Sequence, residues 1–191
     1  MMSGDELILE LGSGEQGGYP HTPTKETIRI DVQSRFRVDV VADAQVLPFR
    51  DASFGGVIAI SIMEHVPRPW QLVDEVRRVL QPKGLVVGYV PYMFPYHADE
   101  TFSDYYRFSD EALRFLFRDY SSIETHSAGG YTNTLFRFIA GFTATQRHIL
   151  RFEKGAAEVL SGLARASGIS NSTRVRGLKR STTGYVFVAR K

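Results

Sequence analysis

Leu7-Ile8-Leu9-Glu10-Leu11-Gly12-Ser13-Gly14 is the stretch that decides the architecture of this chain. A short run of Leu and Ile that halts at glycines reads as a buried strand entering a tight turn. Glycines at such a strand end let the backbone reverse sharply and let a ligand approach the main chain. With Gly17 the loop spells G-x-G-x-x-G, a weak signal when it stands alone. Asp31 strengthens it, because it closes a second strand about twenty residues further on. A carboxylate at that place accepts hydrogen bonds from the two hydroxyls of an adenosine ribose.

Outward from this stretch, strands are expected at Thr27–Val32, Arg37–Ala42 and Val57–Ile62. The last is apolar almost throughout, as in a central parallel strand covered on both faces. Pro69 suits the first turn of a helix, and Trp70, Val73, Val76 and Leu80 recur on one face of it. Pro82-Lys83-Gly84 ends that helix, with Gly84 available for a left-handed turn. A strand at Leu85–Val90 then completes a right-handed βαβ unit. Beyond an aromatic-rich stretch, Ser109 is placed to cap a short helix, and an outer strand is expected at Ser121–Ser127. A helical pattern runs from Thr134 to Ala166, and Gly184–Arg190 forms a terminal strand. Alternating strands and helices indicate an α/β sheet. The first two connections are short for parallel crossovers, so helices after the first two strands are reduced. One sheet face would then be covered by the C-terminal helical region or, in a homodimer, by a second subunit.

A chain of 191 residues, 43% hydrophobic and 23% charged, suits one globular domain with its own core. No Cys is present, which excludes disulfides, thiolate metal sites and a Cys nucleophile. No apolar run reaches the roughly 18 residues of a membrane span, and the acidic, polar start does not read as a signal peptide. A cytoplasmic protein is the expectation. The net charge of +2 hides an asymmetry: after Glu158 come seven basic residues and no acidic one. Such an end meets a phosphate-bearing partner or is a solvated surface.

Two cofactor classes share the glycine-loop geometry. A dinucleotide needs a helix N-terminus behind the glycines to hold its pyrophosphate. Pro20 and Pro23 interrupt that region. S-adenosylmethionine carries no phosphate and does not need the helix dipole, so the local sequence favours the methyl donor over NAD.

Several motifs then fall in one order. They are Leu9-Glu10-Leu11-Gly12-Ser13-Gly14, Ile30-Asp31-Val32, Asp43 to Phe49 with Ser53-Phe54, Met63-Glu64-His65-Val66, and Glu75 to Gly84. This series resembles class I S-adenosylmethionine-dependent methyltransferases of the type 11-like kind, over roughly residues 6–92. Residues 93–191 would supply the lid, the helical region and a terminal strand. The resemblance implies a Rossmann-like sheet, mostly parallel, with an antiparallel C-terminal strand. It implies that Gly12, Ser13 and Gly14 face the methionine and ribose of the cofactor, with Glu10 beneath the loop. It implies Asp31 and Val32 at the ribose, Asp43 and Ala44 at the adenine, and Ser61, Ile62 and Met63 at the methionine end. Glu64 and His65 would lie near the methyl group or the substrate mouth. The chain departs from the family pattern in its third glycine, displaced to Gly17, and in Gly55, where the family usually has Asp.

Methyl transfer is an in-line displacement in which most of the acceleration comes from holding the acceptor on line. A base is needed only for an acceptor that must lose a proton. His65 and His97 are the candidates, with Asp104 to orient one of them. The competing readings are that His65 closes its loop and that Asp104 pairs with Arg107 as part of the lid. Tyr92, Tyr105 and Tyr106 read equally as core or as pocket wall. His21, His126 and His148 are isolated, and no H-x-x-H or carboxylate cluster points to a metal. The expected activity is methyl transfer to a small-molecule or carbohydrate-type acceptor. An RNA or protein acceptor and a catalytically degenerate binding subunit are the alternatives.

Overall fold

The computed structural model describes residues 7–14, 26–36, 38–98, 100–129 and 182–191. In chain order they form β1 (Ile8–Leu11), β2 (Thr27–Asp31), β3 (Val40–Val41), β4 (Phe54–Ile60), α1 (Pro69–Val79), β5 (Leu80–Pro91), α2 (Asp110–Leu116), β6 (Ser122–Ala128) and β7 (Gly184–Arg190). A 3-10 turn, Met63–His65, lies between β4 and α1. The strands make one seven-stranded sheet in the order β3-β2-β1-β4-β5-β7-β6. Pairing is parallel from β3 through β5 and antiparallel at β5–β7 and β7–β6. This is the mostly parallel sheet with an antiparallel C-terminal strand expected from the sequence.

Register explains where the core sits. Leu9 lies beside Val57, Val57 beside Val86, and Val86 beside Ala189, so these side chains share one face. All four are buried. On α1 the buried side chains are Leu72, Val73, Val76 and Val79, at helical spacing. Past α2, Phe117 packs on Phe187 with ring centroids 5.0 Å apart, and the Tyr120 hydroxyl donates to the Val73 carbonyl at 3.1 Å. The opposite face, through Ile58, Val87 and Val188, is only half-buried or exposed. The helical pattern from Thr134 to Ala166, expected to cover a face, lies outside the described residues, as do Pro20, Pro23 and the basic run through Arg180. The link from β2 to β3 holds no helix among its described residues, in keeping with the reduced crossover.

Several local expectations need correction. The third strand pairs only at Val40 and Val41, against Ile30 and Asp31, instead of over Arg37–Ala42. The fourth starts earlier and stops earlier, at Phe54–Ile60, because Ser61 takes a left-handed φ of +50° that breaks the extended chain. Gly55 and Gly56 prolong it at the start. A Cβ on Gly84 would lie 3.0 Å from the Gly55 carbonyl, so β4 and β5 approach there too closely for a side chain. The helix turns Trp70 outward, half-exposed, while Leu72 and Val79 take the core positions. It runs straight into β5 at Leu80, and the left-handed residue is Lys83 (φ +69°), not Gly84. The Ser109 cap is as expected: its side chain accepts from the Ala112 amide at 3.2 Å. Among the described residues no helix is long and apolar enough to cross a membrane.

Candidate functional site

In the order β2-β1-β4, the chain leaves β1 toward one side of the sheet and leaves β4 toward the other. Loops diverging from such a switch point open a crevice at the carboxyl ends of the strands. Gly12 and Gly14 follow β1 with φ of +64° and +62°, in the region where a Cβ is strained. A Cβ on Gly12 would also come within 2.9 Å of the Ile62 side chain, so the β1 loop passes the β4 loop only without one. The Ser13 amide donates to the Ile30 carbonyl at 3.1 Å, tying the loop to β2.

Asp31 ends β2 and is held by two amides. Gly14 N donates to Oδ2 at 3.1 Å and Gln33 N to Oδ1 at 2.9 Å. One carboxylate thus fixes the glycine loop and the start of the next connection. Each of its oxygens keeps a further lone pair. Asp43 accepts from the Gln45 amide at 2.8 Å and from its side chain at 3.1 Å. The loop that carries Asp43 and Ala44 is anchored to α1 by Glu75, whose carboxylate accepts from the Leu47 amide at 2.7 Å.

The crevice encloses a cavity of about 650 Å3. Of the residues singled out in the sequence, Gly12, Gly14, Asp31, Val32, Asp43, Ala44, Ser61, Ile62 and His65 line it. Glu10, Ser13, Met63, His97 and Asp104 do not. Glu10 sits buried within β1 beneath the loop, and Met63 is a fully buried core residue. Tyr105 is part of the wall, whereas the Tyr106 hydroxyl is bound to the Pro67 carbonyl at 2.9 Å and Tyr92 packs on Tyr185. Sequence reading missed Gln33, Arg35, Phe36 and the stretch Glu100–Ser103, which close the outer side. Arg35 Nη2 reaches Thr101 Oγ1 at 3.0 Å and Gln33 Nε2 reaches the Thr101 carbonyl at 3.2 Å. The only local hint was that Gln33 and Arg35 follow directly on Asp31.

A second group of side chains gathers behind His65, which lines the cavity. His65 Nδ1 lies 2.7 Å from the Ser103 carbonyl, which accepts only, so Nδ1 carries the proton and Nε2 the lone pair. The His65 ring meets His97 and Phe102 edge-on, at centroid distances of 4.9 and 4.6 Å. Asp104 is buried and paired through both oxygens with Arg107, and it also accepts from the His97 amide at 2.9 Å. Besides its pairing with Arg107, Asp104 lies close to the His97 ring, with Oδ2 3.3 Å from Nδ1. Arg107 further donates to the carbonyls of Phe94, Pro95 and Tyr106, fixing the segment between β5 and α2. The guanidinium holds the Asp104 carboxyl down at about 2.

Beside them Glu64 is fully buried in the 3-10 turn. Its backbone carbonyl accepts from the Tyr105 amide at 2.8 Å, yet neither carboxylate oxygen has a hydrogen-bond partner. Oε1 lies 3.7 Å from His65 Nε2. Burial pushes the Glu64 carboxyl up to about 7, against the pull of its own backbone amide and then of the Arg107 charge, and burial lowers the His65 imidazole.

Comparison with known proteins agrees with this geometry. Residues 9–88 match the family profile described as a methyltransferase domain. An uncharacterized methyltransferase of Mycobacterium tuberculosis is 44% identical over 62 residues, which cover 32% of this chain and 24% of that protein. The chain spans about a quarter to a half of the length of the curated relatives it matches. Among solved structures, phosphoethanolamine N-methyltransferase 2 of Haemonchus contortus, in complex with S-adenosyl-L-methionine, superposes with a TM-score of 0.62 at 15% identity. That match covers all of this chain and 50% of the other. The [4+2]-cyclase SpnF superposes with a TM-score of 0.58 at 18% identity, over 100% of this chain and 76% of its own. Residues 9–88 are thus similar to a methyltransferase domain, and the sheet is the Rossmann-like fold of S-adenosylmethionine-dependent methyltransferases.

Proposed function

We propose that the chain transfers a methyl group from S-adenosylmethionine to a small-molecule or carbohydrate-type acceptor. The observation that carries this reading is the Asp31 carboxylate at the crevice floor, pre-positioned by the Gly14 and Gln33 amides with lone pairs still available. The lining fits the cofactor. Asp31 and Val32 would hold the ribose, Asp43 and Ala44 the adenine end, and Ser61 and Ile62 the methionine end. Glu10 and Ser13 would support the loop from beneath, and Met63 would back the methionine end from the core. When bound, S-adenosylmethionine supplies a methyl carbon on a sulfonium, a leaving group that needs no protonation.

What is left to the protein is alignment and exclusion of water. The side chains of Phe102 and Tyr105 wall the mouth. His65 presents the lone pair of Nε2, a hydrogen-bond acceptor for a hydroxyl or amine nucleophile. His97 and Asp104 act behind it, His97 through ring contact and Asp104 by holding the His97 backbone. A cavity of this size suits small ligands, which argues for a small acceptor or a single sugar over a folded macromolecule. Fold alone does not choose the reaction, as the cyclase among the structural neighbours illustrates. The test is calorimetry with S-adenosylhomocysteine, followed by a methyl-transfer screen across small hydroxyl, amine and sugar acceptors. Absence of cofactor binding by the unmodified chain would refute the proposal.

A further inference from the structure

We propose that Glu64, His65 and His97 form a binding site for one divalent transition-metal ion of zinc's chemical class, behind the cavity wall that His65 lines. One donor atom of each lies within 4.8 Å of the others. Two imidazoles and one carboxylate are a zinc-type donor set that leaves a fourth position for a water or substrate. Harder ions such as magnesium and calcium prefer all-oxygen shells, so the imidazoles point to the transition series.

The surroundings of the ligands are arranged as a metal requires. Each metal-bound histidine needs its other ring nitrogen fixed by an acceptor. The His65 Nδ1 proton goes to the Ser103 carbonyl at 2.7 Å. His97 Nδ1 has the Pro95 carbonyl at 3.2 Å and Asp104 Oδ2 at 3.3 Å. Arg107 Nη2 is also 3.3 Å from that nitrogen, but its closer contacts are Asp104 Oδ2 at 2.6 Å and the Pro95 carbonyl at 2.9 Å. With Nδ1 carrying the proton on both rings, each Nε2 would keep a lone pair for the ion. The independent observation is Glu64: a fully buried carboxylate whose two oxygens lack any hydrogen bond. Burying such a group without a partner is costly, and a cation beside it removes the cost. Asp104 and Arg107 neutralise each other, so Glu64 is the one acidic charge of the cluster left to balance the ion.

His65 lines the cavity, so the open position would face it. If the methyl-transfer reading holds, an acceptor hydroxyl would occupy that position, the metal–oxygen contact replacing its hydrogen bond to Nε2. That last placement rests on the methyl-transfer reading, whereas metal binding does not.

The test uses the full chain, stripped with chelator, loaded with Zn2+ or Co2+, freed of loose metal by gel filtration and assayed by mass spectrometry of the metal. Retention of about one ion per chain is expected, with visible Co2+ bands typical of four or five N/O ligands. Glu64→Gln, His97→Ala and His65→Asn should each lower retention at least tenfold, while His126→Ala, on the exposed outer strand, should not. Thermal unfolding is measured on every variant, so that a misfolded one is recognised and the remaining variants decide, and S-adenosylhomocysteine binding is measured beside it. No retained metal in the unmodified chain, or retention indifferent to the folded site variants, overturns the proposal. Cofactor binding without metal sinks the metal site alone; metal retention without cofactor binding sinks the methyl-transfer reading alone.

Discussion

Glu75 and Arg78 meet fork to fork across one turn of α1, with Nε to Oε1 at 2.7 Å and Nη2 to Oε2 at 2.8 Å. The same guanidinium donates to the carbonyls of Leu47 and Phe49, and Glu75 accepts from the Leu47 amide. The pair is thus a clamp on the loop that carries Asp43 and Ala44 to the cavity. Arg78→Ala should lower stability by about 1–3 kcal/mol, since it leaves a half-buried carboxylate and two carbonyls without their donor. Cofactor affinity should fall with it. Arg78→Lys should recover only part of both, because an ammonium cannot make the bidentate contact. Thermal unfolding with calorimetry of S-adenosylhomocysteine would check this, and unchanged affinity in Arg78→Ala would refute the clamp's link to the site.

The Glu75–Arg78 pair also sets a pH dependence. The hydrogen bonds from Arg78, then that from the Leu47 amide, hold the Glu75 carboxyl below its ordinary value. Its contribution is therefore complete above the unfolded glutamate pKa of about 4.3 and is lost as pH falls through the lower folded value. Urea unfolding measured from pH 7 down to pH 3 should show a shallower loss of stability in Glu75→Gln than in the unmodified chain. Equal slopes would show that the pair is not coupled to folding.

Asp31→Ala should weaken S-adenosylhomocysteine binding by roughly ten- to a hundredfold, the range of about 1.5–3 kcal/mol for hydrogen bonds to a charged group. Asp31→Asn should fall between the two, because an amide keeps one acceptor. Since Gly14 and Gln33 also rely on Asp31, the alanine variant should lose some thermal stability, and added ligand should restore less of it. Wild-type affinity in Asp31→Ala would remove the floor of the proposed site.

Gly12→Ala should be more damaging than Gly14→Ala. Both positions have left-handed φ, which costs about 1–2 kcal/mol for a residue with a Cβ. At Gly12 the new atom also meets Ile62 Cδ1 at 2.9 Å, whereas nothing among the described residues lies within 4 Å at Gly14. Ile62→Val removes that Cδ1 and should rescue part of the Gly12→Ala loss in a double-mutant cycle. Denaturant midpoints of the four proteins would decide it; identical losses at the two glycines would exclude the contact with Ile62.

Much of this was legible in the chain before folding was considered. The strand at Gly184–Arg190, the Ser109 cap and the glycine loop with Asp31 depend on alternation, on a side chain three residues from an amide, and on backbone freedom. These are local properties, and the sequence states them locally. Strand ends were less legible, because Ser61 and Lys83 adopt left-handed φ that their residue types do not advertise, and because the close approach of Gly55 and Gly84 matters only once β4 and β5 lie side by side.

The amino-acid sequence by itself determined a mostly parallel α/β sheet, its closing antiparallel strand and the glycine loop with Asp31 that lines the cavity. Only the tertiary structure decided what gathers around His65. Glu64 and His65 follow β4, while His97, Asp104 and Arg107 follow β5, and no spacing rule joins them. They meet because β4 and β5 are parallel neighbours, so the segments after both emerge at the same end of the sheet. The Tyr105 amide, bound to the Glu64 carbonyl, then holds the second segment against the first. Parallel pairing converts residues tens of positions apart into one cluster, and it left a buried carboxylate facing two imidazoles that the linear order had kept separate.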